Sequence, residues 1–231
     1  MHNERLLIIG GTSGFGAAAA EQAQALGAHV HVIGHDPVRL HNYLSAHPGI
    51  AGSALDATSQ QALADYFSRH AAYDHLVSTL GGAMSGSFLT SDIAAIRQTL
   101  EAKFFANLQL AQAANSHITQ SITFTSGTGG TFADASGAIV ANHALNELVQ
   151  GLAKEMAPAV RVNAVAPTWT ATGLWRELSE TERAAQAAAF GANVPLKRTA
   201  TVAEVADGYL FLMRNAYITG QILAIDGGVS I

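Results

Sequence analysis

The sequence predicts a single-domain, doubly wound α/β fold, in which a parallel sheet carries helices on both faces. Short apolar runs alternate with longer, often Ala-rich stretches of helical period along the chain. The runs are continuous, as in Leu6-Leu7-Ile8-Ile9, which is the pattern of parallel strands buried on both faces. The 231 residues suit one large domain with a sizeable core. In such a sheet, a ligand binds at the carboxyl ends of the strands.

The individual elements follow from the same alternation. Strands of four to six residues separated by longer helices indicate βαβ units with parallel pairing. The predicted strands are the apolar runs at 5–9, 29–33, 75–78, 122–125, 160–165 and 221–225. The predicted helices include the stretches at 17–26, 61–67, 93–114, 138–156 and 202–213.

Charge and cysteine content exclude several classes of protein. The chain has 12 Lys and Arg against 17 Asp and Glu and no basic cluster, which argues against binding to a nucleic-acid backbone. It is too apolar for a disordered chain, and no apolar run forms a signal peptide or approaches the roughly 18 residues that cross a bilayer. The lack of cysteine excludes thiolate metal sites, and His31 and His35 show no convergent spacing. We therefore expect a soluble cytoplasmic protein without a metal site.

A glycine-rich turn joins the first predicted strand to the first predicted helix, with the sequence Gly10-Gly11-Thr12-Ser13-Gly14-Phe15-Gly16. Gly10 permits a tight turn, Gly14 lets a pyrophosphate approach the helix N-terminus, and Gly16 lets the helix pack on the strand. The free N–H groups and the positive end of the helix dipole attract phosphate. The motif at this place predicts dinucleotide binding.

This glycine spacing resembles that of the short-chain dehydrogenase/reductase family, and further matches follow in order over essentially the whole chain. They are Leu55-Asp56 at the end of the third strand, 161–167 as the sixth strand, Thr170 and Thr172 after it, and 219–228 at the C-terminus. The resemblance implies a Rossmann-type fold and hydride transfer between a nicotinamide cofactor and a small carbonyl or alcohol substrate. The cofactor-binding residues that it implies are Gly10, Thr12, Ser13, Gly14, Phe15, Gly16, His35, Arg39, Asp56, Ala57, Leu80, Gly81, Lys103, Pro167, Thr168, Thr170 and Thr172.

The residues after the second strand bear on the choice of cofactor. In the family, an acid at the position of Gly34 marks NAD, whereas Gly-Arg at this and the next position marks NADP. Here Gly34 is followed by His35, and Arg39 lies one helical turn further on. Asp36 is the alternative acid for NAD, but Asp36-Pro37 is typical of a helix N-cap followed by proline. NADP(H) is therefore favoured over NAD(H).

The Tyr and Lys that the family places four residues apart on the helix after the fifth strand are missing. One alignment puts Ala138 and Asn142 at their positions, and a shift by one residue gives Ile139 and His143. The family's Asn-Asn-Ala-Gly after the fourth strand is Ser-Thr-Leu-Gly at 78–81, and Pro167 is followed by Thr rather than Gly.

Three catalytic candidates remain. Lys103 occupies the position of a helix Asn of the family and could return an ammonium to the site. Ser126 keeps the upstream hydroxyl that orients the carbonyl, and His143 or a water could relay the proton. Two interpretations stay open: a divergent reductase, or a protein that binds NADP(H) without turnover as a sensor, scaffold or partner subunit.

Two further segments carry expectations from the resemblance. Residues 168–195, which contain both Trp169 and Trp175, correspond to the family's substrate lid.

Only 13% of the chain is charged, against roughly 25% in an average protein. The stretches 102–114 and 138–157 are nearly uncharged and correspond to the family's main subunit interface. Because interface cores are depleted in charge, we expect a homodimer or homotetramer.

Overall fold

The computed structural model describes residues 1–82, 84–130 and 133–231, and these residues form one seven-stranded parallel sheet. The strands lie in the order β3-β2-β1-β4-β5-β6-β7. The order reverses between β1 and β4, so a crevice opens beyond the carboxyl ends of these two strands. The strand bounds are β1 (Arg5–Ile9), β2 (His29–Gly34), β3 (Ala51–Ala54), β4 (Tyr73–Ser78), β5 (Ile118–Thr125), β6 (Arg161–Pro167) and β7 (Ile222–Ile225).

Helices cover both faces of this sheet, which confirms the predicted doubly wound fold. Their bounds are α1 (Gly14–Ala25), α2 (Pro37–Ala46), α3 (Gln60–Arg69), α4 (Ile93–Leu100), α5 (Ala106–Ala114), α6 (Ser136–Met156), α7 (Glu180–Asn193) and α8 (Val202–Arg214). Leu6 and Ile8 pack towards α1, α2 and α8, whereas Leu7 and Ile9 pack towards α3, α5 and α6. Successive side chains of a strand point to opposite faces, so burial on both sides requires the continuous apolar runs seen in the sequence.

The third strand has no apolar run and was missed by the apolar pattern. Its residues, Ala51–Ala54, are exposed or half-buried at the edge of the sheet and pair only with β2. The expectation that Leu55 and Asp56 end this strand is wrong by two residues. The N–H of Leu55 donates to the oxygen of Gly34 at 3.0 Å, and Asp56 already begins a turn in which it accepts from the N–H of Thr58 at 3.0 Å.

The helical stretch predicted over 93–114 is confirmed, but it is not regular α-helix throughout. A single π-helical turn, Glu101–Phe105, separates α4 from α5. Such turns insert an extra residue into the helical repeat and are frequent at functional sites. Lys103 lies at the centre of this turn and is buried.

Among the described residues, no helix combines the length and the apolar character needed to span a bilayer. The same residues contain no group of three or more His, Cys, Asp or Glu side chains placed to hold a metal ion.

Candidate active site

A cleft of about 1030 Å³ opens beyond the carboxyl ends of the strands. This volume lies at the upper end of the range for small-molecule sites, so the cleft has room for a large ligand. Of the residues predicted for the site, it is lined by Gly10, Thr12, Ser13, Gly14, Phe15, His35, Arg39, Asp56, Ala57, Leu80, Gly81, Lys103, Ser126, Pro167, Thr168, Thr170 and Thr172. Gly16 and His143 do not line it.

The glycine turn at one end of the cleft is shaped for phosphate. Gly16 packs α1 onto the turn, since a Cβ at this position would collide with the carbonyl of Gly10. The first turn of α1 carries no acid, and the Ser13 side chain makes no capping hydrogen bond. The N-terminal N–H groups of α1 and the hydroxyl of Ser13 are therefore available to an anionic ligand.

His35, Arg39, Asp56 and Ala57 line another part of the cleft. Asp36 is the N-cap of α2, as predicted, and accepts from the N–H groups of Val38 and Arg39 at 2.9 and 3.1 Å. These two N–H groups hold the pKa of the Asp36 carboxyl below its usual value, mainly through Arg39. The guanidinium of Arg39 lies 3.8 Å from the Asp36 carboxylate, in an exposed pair that contributes little.

Lys103 brings a positive charge to the centre of the cleft. Its side chain is 7% exposed, and its Nζ donates to the oxygens of Thr125 (3.1 Å) and Ser126 (3.4 Å) and to Asn142 Oδ1 (3.0 Å). These three acceptors are neutral, and among the described residues no carboxylate forms an ion pair with the amine. Burial lowers the pKa of Lys103 to about 8.

The backbone around Lys103 is fixed by buried polar groups. Asn107 Nδ2 donates to the carbonyl oxygen of Lys103 at 2.6 Å, and Ser78 Oγ donates to Asn107 Oδ1 at 2.6 Å. The π-helical turn alters the usual helical bonding here, and the Asn107 amide satisfies this carbonyl. Gly81 allows the close approach of the amine, since a Cβ at this position would collide with Lys103 Cε.

Helix α6 presents two of its residues to the cleft. Ala138 and Asn142 line it, whereas Ile139 and the exposed His143 do not. One residue along an α-helix turns the side chain by about 100°, so only one of the two alignments can face the cleft. The structure brings Ala138 and Asn142 to the cleft, and it does not bring His143 together with Lys103 and Ser126.

Ser126 is buried at the end of β5 and is held from α6. Its Oγ donates to Asn146 Oδ1 at 2.6 Å. Asn146 was missed in the sequence, although it follows Asn142 by four residues and therefore lies on the same helical face. The pattern of Asn at both positions was the available signal.

Three aromatic side chains of the segment 168–195 form a wall of the cleft, which we call the aromatic wall: Trp169, Trp175 and Phe190. Trp169 stacks on Trp175 with ring centroids 5.6 Å apart and faces Phe190 at 6.3 Å. The Nε1 of Trp175 donates to the oxygen of Thr170 at 3.1 Å, a hydrogen bond within the same segment. Leu174 of the same segment also lines the cleft, as do Met84 and Arg176, which were not singled out in the sequence. Met84 and Leu174 add to the apolar side.

The sheet order, the glycine turn and the cleft at the crossover are typical of a dinucleotide-binding fold. A family model described as enoyl-(acyl carrier protein) reductase matches residues 10–230. The chain is 32% identical to a short-chain dehydrogenase/reductase of Stachybotrys chlorohalonatus, over 99% of this chain and 97% of that one. It is 31% identical to a tropinone reductase homologue of Arabidopsis thaliana, over 97% and 92%.

Solved structures show the same likeness. A small-chain dehydrogenase in complex with NADPH has a TM-score of 0.83 and 26% identity, with 98% of each chain covered. An oxidoreductase of this family from Burkholderia thailandensis has a TM-score of 0.87 and 26% identity, with 99% of this chain and 93% of that one covered. The chain belongs to the short-chain dehydrogenase/reductase family, which confirms the resemblance seen in the sequence.

The buried ammonium gives a first testable prediction. Lys103 is expected to titrate near pH 8 by the chemical shift of its Cε in lysine-labelled protein. Between about pH 8 and about 10.5, the unfolded chain binds a proton at Lys103 that the folded chain has released. Lys103 therefore makes the free energy of unfolding rise with pH across this window, and Lys103→Met removes that contribution. A difference between the two proteins that is constant over the window would contradict the burial of the charge.

Proposed function

We propose that the protein is an NADP(H)-dependent oxidoreductase that transfers hydride between the nicotinamide and a carbonyl or alcohol substrate, with Lys103 and Ser126 in a non-standard active site. The observation that carries this proposal is the Lys103 ammonium, which is buried in the cleft with neutral partners only. A buried cation without a counter-ion is costly, and a substrate oxygen that develops negative charge would offset part of this cost.

The cleft offers a place for each part of the cofactor. The N–H groups of α1, together with Gly10, Thr12, Ser13, Gly14, Phe15 and Thr172, would hold the pyrophosphate, with Gly16 packed behind them. Asp56 and Ala57 would meet the adenine, and His35 and Arg39 the 2′-phosphate. The nicotinamide half would lie among Leu80, Gly81, Lys103, Pro167, Thr168 and Thr170.

When bound, the nicotinamide supplies the hydride in reduction and accepts it in oxidation. The Lys103 ammonium would stabilise negative charge on the substrate oxygen and supply the proton, directly or through a water. Ser126, held by Asn146, would fix the position of that oxygen. His143 has no part in this step, because it lies outside the cleft.

The aromatic wall bears on the substrate. Trp169, Trp175 and Phe190 form a broad apolar surface in the cleft, which the small side chain of Ala138 also lines. Aromatic faces favour stacking with flat apolar groups. A carbonyl compound with an apolar or aromatic substituent fits this surface best.

A second function is favoured by one observation. Ala138 stands where the family has its Tyr, and no Tyr hydroxyl is found among the described residues that line the cleft. A protein that binds NADP(H) without turnover, as a sensor, scaffold or partner subunit, would retain the cofactor side of the cleft and lose the acid.

Turnover separates the two functions. We expect oxidation of NADPH with a panel of ketones, aldehydes and quinones, and a rate that falls as the pH rises through about 8 and the ammonium is lost. Lys103→Ala is expected to lower kcat by about 10²–10⁴-fold, and Ser126→Ala to lower it as well. Lys154→Ala, which removes an exposed amine from α6, serves as the control.

Tight NADPH binding without any turnover would support the sensor instead. If both Lys103→Ala and Ser126→Ala left turnover unchanged, the assignment of Lys103 and Ser126 to the active site would be wrong, although the assignment of the protein as an oxidoreductase would stand.

The choice of cofactor has its own test. Arg39→Ala is expected to weaken the binding of NADPH about tenfold and to leave NADH unchanged, because only NADPH carries a 2′-phosphate. Dissociation constants from calorimetry would show this. Tighter binding of NADH than of NADPH by the unmodified protein would contradict the proposed NADP(H) preference.

We also propose that the chain forms a homodimer or homotetramer through the stretches 102–114 and 138–157. Phe105 and Val140 are 43% and 37% exposed there, on surfaces that carry few charges. Light scattering at micromolar concentration is expected to show an oligomer, and Val140→Arg to shift it towards monomer. A monomeric unmodified protein would contradict this interface.

A further inference from the structure

We propose that Arg176 binds the pyrophosphate of the dinucleotide and thereby holds the aromatic wall over the cleft. This inference rests on the proposed cofactor site and adds to it a cation from the segment 168–195. Arg176 lies just after Gly173–Trp175, which forms a short 3-10 turn capped by Thr172. Its side chain is exposed and lines the cleft, so it is accessible to a ligand.

Arg176 approaches the glycine turn closely. A Cβ added to Gly173 would lie 3.7 Å from an Arg176 guanidinium nitrogen and 3.6 Å from Ser13 Oγ. A Cβ added to Gly14 would lie 3.3 Å from Thr172 Cβ. The 3-10 turn is therefore packed on the phosphate end of the cleft, and the guanidinium and the Ser13 hydroxyl border the same small space.

The distribution of charge around the cleft also favours Arg176 as the partner of the pyrophosphate. Residues 10–16 contain no Lys or Arg, so the glycine turn itself offers only N–H groups, hydroxyls and the helix dipole to a group with two negative charges. In the described parts of the chain, Arg176 has no ion pair or side-chain hydrogen bond. Arg39 is next to Asp36, and the Lys103 amine is held among Thr125, Ser126 and Asn142, where the proposed function uses it for the substrate. Arg176 is thus the cation that remains for the pyrophosphate.

The contact would also connect the cofactor to the substrate side. Trp175 directly precedes Arg176, stacks on Trp169 and donates to the oxygen of Thr170. A guanidinium fixed on the pyrophosphate would fix the 3-10 turn and the aromatic wall with it. Binding of the cofactor would therefore shape the surface that meets the substrate.

The test compares two arginines and two cofactors by calorimetry. Arg176→Ala is expected to weaken the binding of NADPH and NADH by the same factor, about tenfold, because both carry the pyrophosphate. Arg39→Ala is expected to weaken the binding of NADPH alone, because Arg39 is proposed to contact the 2′-phosphate. Arg97→Ala, which removes an exposed arginine of α4 outside the cleft, should change neither. Arg176→Lys should recover part of the loss.

Each other outcome would overturn the proposal. Unchanged affinity for both cofactors in Arg176→Ala would remove Arg176 from the cofactor site, and a raised KM for the substrate in that variant would place it in the substrate site instead. A loss confined to NADPH would assign it to the 2′-phosphate. If the unmodified protein bound neither dinucleotide, the proposed function itself would fall, whereas an effect of Arg39→Ala alone would leave that function standing.

Discussion

Burial of the Lys103 ammonium against neutral acceptors is the constraint on which the site depends. An ammonium removed from water is costly unless every N–H has a partner, and the three partners here come from the end of β5 and from α6. Asn107 and Ser78 fix the backbone that carries the amine. Because the acceptors are neutral, burial lowers the pKa of Lys103 to about 8 and leaves a group that can exchange a proton near neutral pH.

The contact between Lys103 and Asn142 is central to the proposed difference between this site and that of its family. The resemblance places a Lys at position 142 and an Asn at position 103, and this chain has the two residue types the other way round. Their side chains meet at 3.0 Å in the cleft. The amine and the amide are therefore both present at one place, and under the proposed alignment the helices that supply them are exchanged. In the same alignment Ala138 takes the position of the Tyr, and none of the described residues that line the cleft is a Tyr.

Much of the fold could be predicted from the sequence, because strands that are buried on both faces of a parallel sheet require continuous apolar runs. The edge strand Ala51–Ala54 was not predicted from the apolar pattern, because it is not fully buried. The π-helical turn at Lys103 was not predicted, because its residues keep a helical pattern. The glycine turn and Asp36 followed from local rules. His143 was misplaced because the register of α6 was ambiguous by one residue, and Arg176 went unnoticed because only the folded chain brings it to Ser13.

The most direct test of the account is the exchanged pair, Lys103→Asn with Asn142→Lys, assayed for NADPH oxidation with the best substrate of the unmodified protein. Since the two side chains touch, the double variant keeps an amine and an amide at the same contact. The account predicts that each single variant loses at least about tenfold in kcat and that the double variant recovers most of the loss, as expected for directly coupled residues. A double variant no more active than the singles would contradict it.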